Sequence, residues 1–167
     1  MSGRVEDADV EQAFVSCQRQ LGRYLAQIVD DRALAEDLLQ DTYVAAARSW
    51  VEAKPENPEA WLFGIARHRA LAALRRRRRL HGALTRLSLQ SRNRMVETDS
   101  TLVVRDLLAR TLSPEDRSLV VLRYLHDFDA NELAAMTGMT PDAVRQRLSR
   151  ARRKLLDATS PDPGGRP

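Results

Sequence analysis

The chain has 167 residues, enough for one domain or two small ones, and its 43% hydrophobic and 5% aromatic content is that of a helix-prone globular protein. No window approaches the uninterrupted apolar run of about 20 residues that spans a bilayer, and the N-terminus MSGRVEDADVEQ is acidic where a signal peptide is basic and then apolar, so the expectation is a cytoplasmic protein without membrane insertion. The net charge of +4 conceals a division: residues 1–59 carry six basic and twelve acidic side chains, residues 60–96 ten arginines and no acid, and residues 97–167 eleven of each. Such segregation implies two kinds of partner, a protein surface for the acidic section and a polyanion for the basic one.

From Val10 to Val29 the residues Val10, Phe14, Cys17, Leu21, Tyr24, Leu25 and Ile28 step by three and four, which predicts an amphipathic helix ended by Asp30 and Asp31. Cys17 is the sole cysteine, so no internal disulfide exists, and its place in this stripe favours a plain buried thiol over a reactive one. A second helix is expected from Arg32 to about Trp50, with Leu34, Leu38, Leu39, Ala45 and Ala46 as core and Tyr43 half-buried. Glu36, Asp37, Gln40 and Asp41 share one of its faces. Taken alone, that face reads as ordinary solvated surface.

A polar loop, Val51 to Asn57, is broken by Pro55; Asn57 then caps, and Pro58 and Glu59 suit the first turn of a third helix. Trp61, Leu62, Ile65, Ala66, Leu71 and Leu74 give it a core stripe, and Arg67, Arg69 and the run Arg75 to Arg79 give it charge. Five consecutive arginines go round the whole helix, so some face solvent or phosphate whatever the fold does. A targeting or non-specific tail competes with that reading. Residues 80–100 lack a sustained stripe and read as a flexible basic linker between a first domain, 1–79, and a second, 101–157. In the second domain Leu102, Val103, Leu107, Leu108 and Leu112 predict one helix, and Ser113, Pro114 and Asp116 start another with Leu119, Val120, Leu122 and Leu125 inside. Residues 158–167 read as a disordered tail.

Asp129 with Glu132 and Thr140 with Pro141 mark two further helix starts about four residues apart from end to start. Between them Ala134, Gly138 and Val144 hold the spacing of a helix-turn-helix: a small residue for close crossing, a glycine for the left-handed turn and a β-branched anchor. In the second helix Val144, Leu148, Ala151 and Leu155 form the buried stripe, which turns Asp142, Arg145, Gln146, Ser149 and Arg153 outward. Arg and Gln there suit base edges, and Arg147, Arg150, Arg152 and Lys154 on the flanks suit phosphates. His68, His81 and His126 have no metal-ligand spacing with Cys17, and no glycine-rich phosphate loop occurs, so neither a metal, a cofactor nor a catalytic residue is expected.

Three stretches, AEDLLQDTYVAAARSW, NPEAWLFGIARHRALAALRRRRR and LSPEDRSLVVLRYLHDFDANELAAMTGMTPDAVRQRLSRARRKL, resemble in order the polymerase-binding helix, the promoter-melting segment and region four of bacterial extracytoplasmic-function sigma factors. With the first helix the resemblance covers about 150 of the 167 residues. It implies an all-α chain of two small domains that binds core RNA polymerase and promoter DNA and, as the family often does, an anti-sigma factor. Glu36, Asp37, Gln40 and Asp41 would dock on the polymerase clamp helices. The −10 element would meet Lys54 and Asn57 in the loop and Trp61, Arg67, His68, Arg69, Arg75 and Arg76 on the third helix, where charge and stacking suit an opened strand. Asp142, Arg145, Gln146, Arg147, Ser149, Arg150 and Arg153 would meet the −35 duplex. His68 stands where the family commonly has asparagine, Ala72 where it has aspartate, and Lys54 and Pro55 where an aromatic-Arg-Gly is frequent; these departures bear on −10 preference and leave the core stripe intact. A different class, a free-standing helix-turn-helix repressor or activator dimerising through its first helices, would need an apolar seam left over in the N-terminal half. An enzyme acting on nucleic acid would need clustered carboxylates or metal ligands near the basic surfaces, and none is seen.

Overall fold

The computed structural model describes the backbone of residues 2–84 and 99–160 and the side chains of residues 9–80 and 103–160. It contains seven helices: α1 (Ser2–Val29), α2 (Arg32–Ala53), α3 (Pro58–Leu84), α4 (Asp99–Thr111), α5 (Pro114–Leu125), α6 (Ala130–Thr137) and α7 (Pro141–Thr159), with no strand among the described residues. The expected all-α class holds.

Helices α1 to α3 form a bundle around the stripe of α1, every member of which from Val10 to Ile28 is buried, and Leu38, Ala46, Leu62, Phe63 and Ala66 close on it. Cys17 lies within that core, where burial first and Glu59 second push its thiol up to about 11, as suits an inert side chain. The turn from α1 to α2 uses Asp30 in the left-handed region (φ 52°) and then extended Asp31, whose Oδ1 accepts the Leu34 N–H at 3.0 Å.

Several boundaries differ from the sequence reading, beginning with α1, which starts at Ser2 and not at Val10. Helix α2 continues to Ala53, three residues into the expected loop, because nothing stops it before Pro55; Lys54, disfavoured in the helical region ahead of proline, takes φ 40° and returns its N–H to Trp50 O. Helix α3 runs past Arg79 to Leu84, since arginine and leucine are good helix formers and one glycine, Gly82, does not stop them. The proposed linker thus loses its first five residues to α3 and its last two to α4, and residues 85–98 lie outside the described residues. Likewise α7 keeps residues 158 and 159 that were assigned to the tail, with Thr159 Oγ1 bonded back to Leu155 O; residues 161–167 lie outside the described residues.

The second half is built on α5, in which Arg117, Ser118, Leu119, Val120, Val121 and Leu122 are all buried. A helix buried nearly all round has neighbours on more than one side: α4, α6 and α7 flank it, and so do α1 and α3 of the first half. Core side chains therefore form one continuous cluster across both halves. Val103 and Leu125, expected inside, are 66% and 55% exposed, because periodicity marks a face and not how far along it the neighbours reach.

Gly138 closes α6 at φ 69°, and open space surrounds the position a Cβ would take. Gly138→Ala should therefore cost about 1 kcal/mol through backbone strain alone, and Thr140→Ala a similar ~1 kcal/mol through loss of the α7 cap. Urea denaturation of the two variants checks both values.

Candidate nucleic-acid interface

The helix-turn-helix is assembled by local hydrogen bonds. Asp129 Oδ1 accepts the N–H groups of Asn131 (2.7 Å) and Glu132 (2.9 Å), while Glu132 Oε2 accepts the Asp129 N–H at 2.8 Å. These backbone donors, Glu132 first, hold the Asp129 carboxyl below its usual range. Gly138 N–H caps Ala134 O at 2.9 Å, and Thr140 Oγ1 accepts the Ala143 N–H at 3.2 Å to open α7. Val144, Leu148 and Ala151 then bury one side of α7, which leaves Asp142, Arg145, Gln146, Ser149, Arg150 and Arg153 exposed together on the other. Arg145 Nη1 lies 2.6 Å from Asp142 Oδ1, a pair open enough to water to be given up for a base edge at little cost.

Arg147 is placed differently from the rest of the predicted set. Its Nε donates to Asp116 Oδ1 at 2.5 Å, and that carboxylate is only 15% exposed, so the side chain braces α7 against α5. Lys154 stands 4.0 Å from the other Asp116 oxygen.

On the first half Glu36, Asp37, Gln40 and Asp41 are all exposed on one face of α2. Arg32 Nε reaches Glu36 at 2.9 Å, and Arg69 lies 3.8 Å from Asp41. A groove of about 1200 Å³ runs between α2, α3 and α6, and there the two predicted sets meet: Asp37 and Asp41 on one wall, Asn57, Trp61, His68, Arg69 and Arg76 on the other. Trp61 stacks edge-on against Trp50 at 5.7 Å. Lys54 is exposed at the end of α2, outside that groove.

Arg67 and Arg75 lie away from the groove, toward the second half. Arg75 comes within 4.0 Å of Glu115. Arg67 is largely covered, its Nε is enclosed without a hydrogen-bond partner, and desolvation, reinforced by Arg147 and Arg75, lowers its pKa. Beside it, with Tyr24, Glu115 and Arg147 among its neighbours, lies a contact between the halves that sequence reasoning missed. Tyr24 Oη and Ser118 Oγ share a buried 2.7 Å hydrogen bond, Arg117 Nη2 donates to Ile28 O at 2.6 Å, and Asn57 Nδ2 donates to Glu132 Oε1 at 2.9 Å. Phe63 packs on Phe128 and His126, each with ring centroids 4.9 Å apart. The signal in the sequence was faint: Arg117 and Ser118 interrupt neither the cap nor the stripe of α5, and nothing local reveals that they face another element.

A basic helix-turn-helix joined to a three-helix bundle with an acidic face and an arginine-rich third helix defines a DNA-binding regulator of transcription. The sigma-70 region 2 family matches residues 13–80 and the sigma-70 region 4 family residues 106–155. The chain is 33% identical over 138 residues to RNA polymerase sigma factor CarQ of Myxococcus xanthus (80% of this chain, 79% of that one) and 32% identical over 186 aligned positions to sigma factor CnrH of Cupriavidus metallidurans (93% and 97%). Among solved structures it is similar to CnrH in complex with the cytosolic domain of CnrY (TM-score 0.61, 26% identity, 96% of this chain and 100% of that one). Its fold is also that of sigma factor RpoE in complex with the anti-sigma factor NepR from Bartonella quintana (TM-score 0.72, 24% identity, 89% and 95%). The chain belongs to the sigma-70 family, in its extracytoplasmic-function group: it is an alternative sigma factor, which binds core RNA polymerase and directs transcription initiation at promoters.

The contact between the halves carries a pH signature. His126 is half-buried against Tyr24 and Phe63, and burial first, then Arg23, lowers its pKa below the ordinary 6.5, against an opposing pull from Asp127. A depressed histidine makes the unfolded chain the better proton binder, so its contribution is complete above pH 6.5 and is lost as pH falls below that value. The fall in Tm between about pH 7.5 and about pH 5.5 should be smaller in His126→Phe than in the native chain, as calorimetry at the two pH values would record.

Proposed function

We propose that this sigma factor divides its work between surfaces of opposite charge. Residues 1–79 form the unit that holds core polymerase and the opened −10 strand, and residues 101–157 the unit that reads the −35 duplex. The observation that carries the reading is the exposed acidic face of α2, Glu36, Asp37, Gln40 and Asp41, set across a groove from basic α3 in a chain that also presents an outward row of Arg145, Gln146, Ser149, Arg150 and Arg153 on α7. Lys54, Asn57, Trp61, His68, Arg69 and Arg76 take the opened strand in or beside the groove; Arg67 and Arg75 add positive charge to α3 from its other side. Arg145, Gln146 and Arg153 face the bases and Arg150 holds phosphates.

As a partner of core RNA polymerase the chain works in the cytoplasm and leaves catalysis to the polymerase. No helix among the described residues is long and apolar enough to cross a membrane, and no group of three or more His, Cys, Asp or Glu among them could hold a metal ion. An anti-sigma factor is a natural partner, since the solved relatives RpoE and CnrH are held by NepR and by the cytosolic domain of CnrY. The free-standing repressor is disfavoured because the apolar stripe of α1 from Val10 to Ile28 is spent inside the chain, on α2, α3 and α5, and is not left over for a second copy among the described residues.

Asp37→Arg with Asp41→Arg should leave folding within about 0.5 kcal/mol and slow association with core polymerase, most strongly at low salt. Fluorescence anisotropy measures the loss, with circular dichroism to show that the helices survive; unchanged core affinity would move the docking surface elsewhere.

For the −35 surface, Arg145→Ala should cost roughly 1–3 kcal/mol at one or two base positions, whereas Arg150→Ala should weaken every promoter alike and flatten the salt dependence. Titration against a panel of single-base promoter variants separates the two patterns. Equal loss on all of them from Arg145→Ala would contradict a base contact.

A further inference from the structure

We propose that Asp116 is a specificity-determining residue of −35 reading. From α5 it holds Arg147 and Lys154 of α7 back from the phosphates of the duplex, so that α7 is kept on DNA by its base-facing side chains more than by charge. The inference rests on the assignment of α7 to the −35 duplex and deepens it by adding a positioning residue on a different helix.

Three cations of α7 form a row along one flank. Arg147, Arg150 and Lys154 are three and four residues apart and so lie one above another along the helix. The row runs between the buried stripe of Val144, Leu148 and Ala151 and the exposed face of Arg145, Gln146 and Ser149. When that face enters a groove of the duplex, a flank in this position runs beside the phosphates of the groove wall. The three members are not equally available to them. Arg150 is exposed and makes no hydrogen bond or ion pair among the described residues. Arg147 Nε is bonded to Asp116 Oδ1, and Lys154 Nζ stands 4.0 Å from Oδ2 of the same carboxylate.

Burial decides how firmly each cation is held. The Arg145–Asp142 side chains are 57% and 88% exposed, so water screens that pair and Arg145 leaves it readily for a base. The Arg147–Asp116 side chains are 31% and 15% exposed and joined by a charge-assisted hydrogen bond, where screening is weaker. Asp116 does not follow Arg147 outward: its N–H donates to Ser113 Oγ at 3.1 Å in the first turn of α5, an end of the helix that favours a negative charge. Moving Arg147 to a phosphate would therefore leave a largely covered carboxylate without its partner. Lys154, at 4.0 Å and more exposed, is restrained less. Phosphate contacts hold every duplex alike, so each one withheld lowers binding to DNA of any sequence. They also fix the register of the helix on the duplex. Added contacts one turn to either side of Arg150 would draw the flank toward the backbone and pull Arg145 and Gln146 away from the bases.

The test uses holoenzyme assembled from core polymerase and the full chain, after circular dichroism has shown each chain to be helical. Native chain is compared with Asp116→Asn, which keeps the shape and removes the charge, with Asp116→Ala, which removes the acceptor as well, and with Asp116→Asn combined with Arg147→Gln and Lys154→Gln. The probes are two labelled duplexes, one that the native holoenzyme enriches from a pool randomised at the −35 position and one of scrambled sequence, each titrated across a salt series. Both Asp116 variants should bind the scrambled duplex about three- to tenfold more tightly at low salt, with a plot of log K against log salt steeper by about 0.9 to 1.8, the value of one to two added phosphate contacts. Preference for the enriched duplex should fall, and the two glutamines should abolish the gain. Weaker or unchanged binding of the scrambled duplex by both variants is what a merely structural carboxylate gives, and it would overturn the proposal. So would an unchanged preference, or a gain that survives both glutamines. Arg150→Ala is the control for the underlying reading. If it alters binding to neither duplex, α7 is not the −35 reader; if it weakens both while the Asp116 variants gain nothing, the role of Asp116 alone is refuted.

Discussion

The corner between α1 and α2 is where the fold is tied together. Arg77 from α3 bonds to Asp31, Arg105 from α4 to Asp30 at 3.0 Å, and Arg117 from α5 to the carbonyl of Ile28. Three helices distant in sequence thus converge on three residues, Ile28, Asp30 and Asp31, where one helix ends and the next starts. The interactions are not equal. The pairs to Asp30 and Asp31 are partly open to solvent and contribute modestly, whereas the Arg117 bond is buried and would leave an unpaired guanidinium if its acceptor were withdrawn. The Asp31 carboxyl, held low by the Leu34 N–H first and Arg77 second, keeps its charge at neutral pH for both tasks.

How much of this was legible in the sequence depended on the range over which each signal acts. The capping box of Asp129 and Glu132, the left-handed turn at Gly138 and the stripe of Val144, Leu148, Ala151 and Leu155 are set by neighbours three or four residues away, and the structure reproduces them with Leu155 only partly buried. The exposed face of Glu36, Asp37, Gln40 and Asp41 followed from the same periodicity. Element ends were less legible, because α2 stops where Pro55 acts and α3 runs on past the point where its apolar stripe fades. Least legible were side chains whose partners lie far along the chain. Arg147 looked like one more basic residue of a recognition helix, and only Asp116, 31 positions earlier, turns it inward. Phe63 and Phe128, 4.9 Å apart between the halves, carried no local mark of each other.

Charge segregation along the chain becomes spatial segregation once the helices pack, although not a clean one. Acidic α2 and basic α3 lie side by side, and their facing residues share a groove that Asp41 and Arg69 partly bridge. A partner that binds the acidic face alters the field felt by anything held on α3. The two surfaces are therefore electrostatic neighbours even where they share no atom.

The extension of α3 to Leu84 has a consequence for reach. At 1.5 Å per residue its 27 residues make a rod of about 40 Å, and the chain leaves from the tip of that rod. Only the positions between Leu84 and Asp99 are left to join the halves, and a backbone of that length extends to about 50 Å at most. On duplex DNA at 3.4 Å per base pair this tether corresponds to about 15 base pairs. Covalent geometry therefore sets an upper limit on how far the end of α3 and the start of α4 can part, whatever draws the two halves apart.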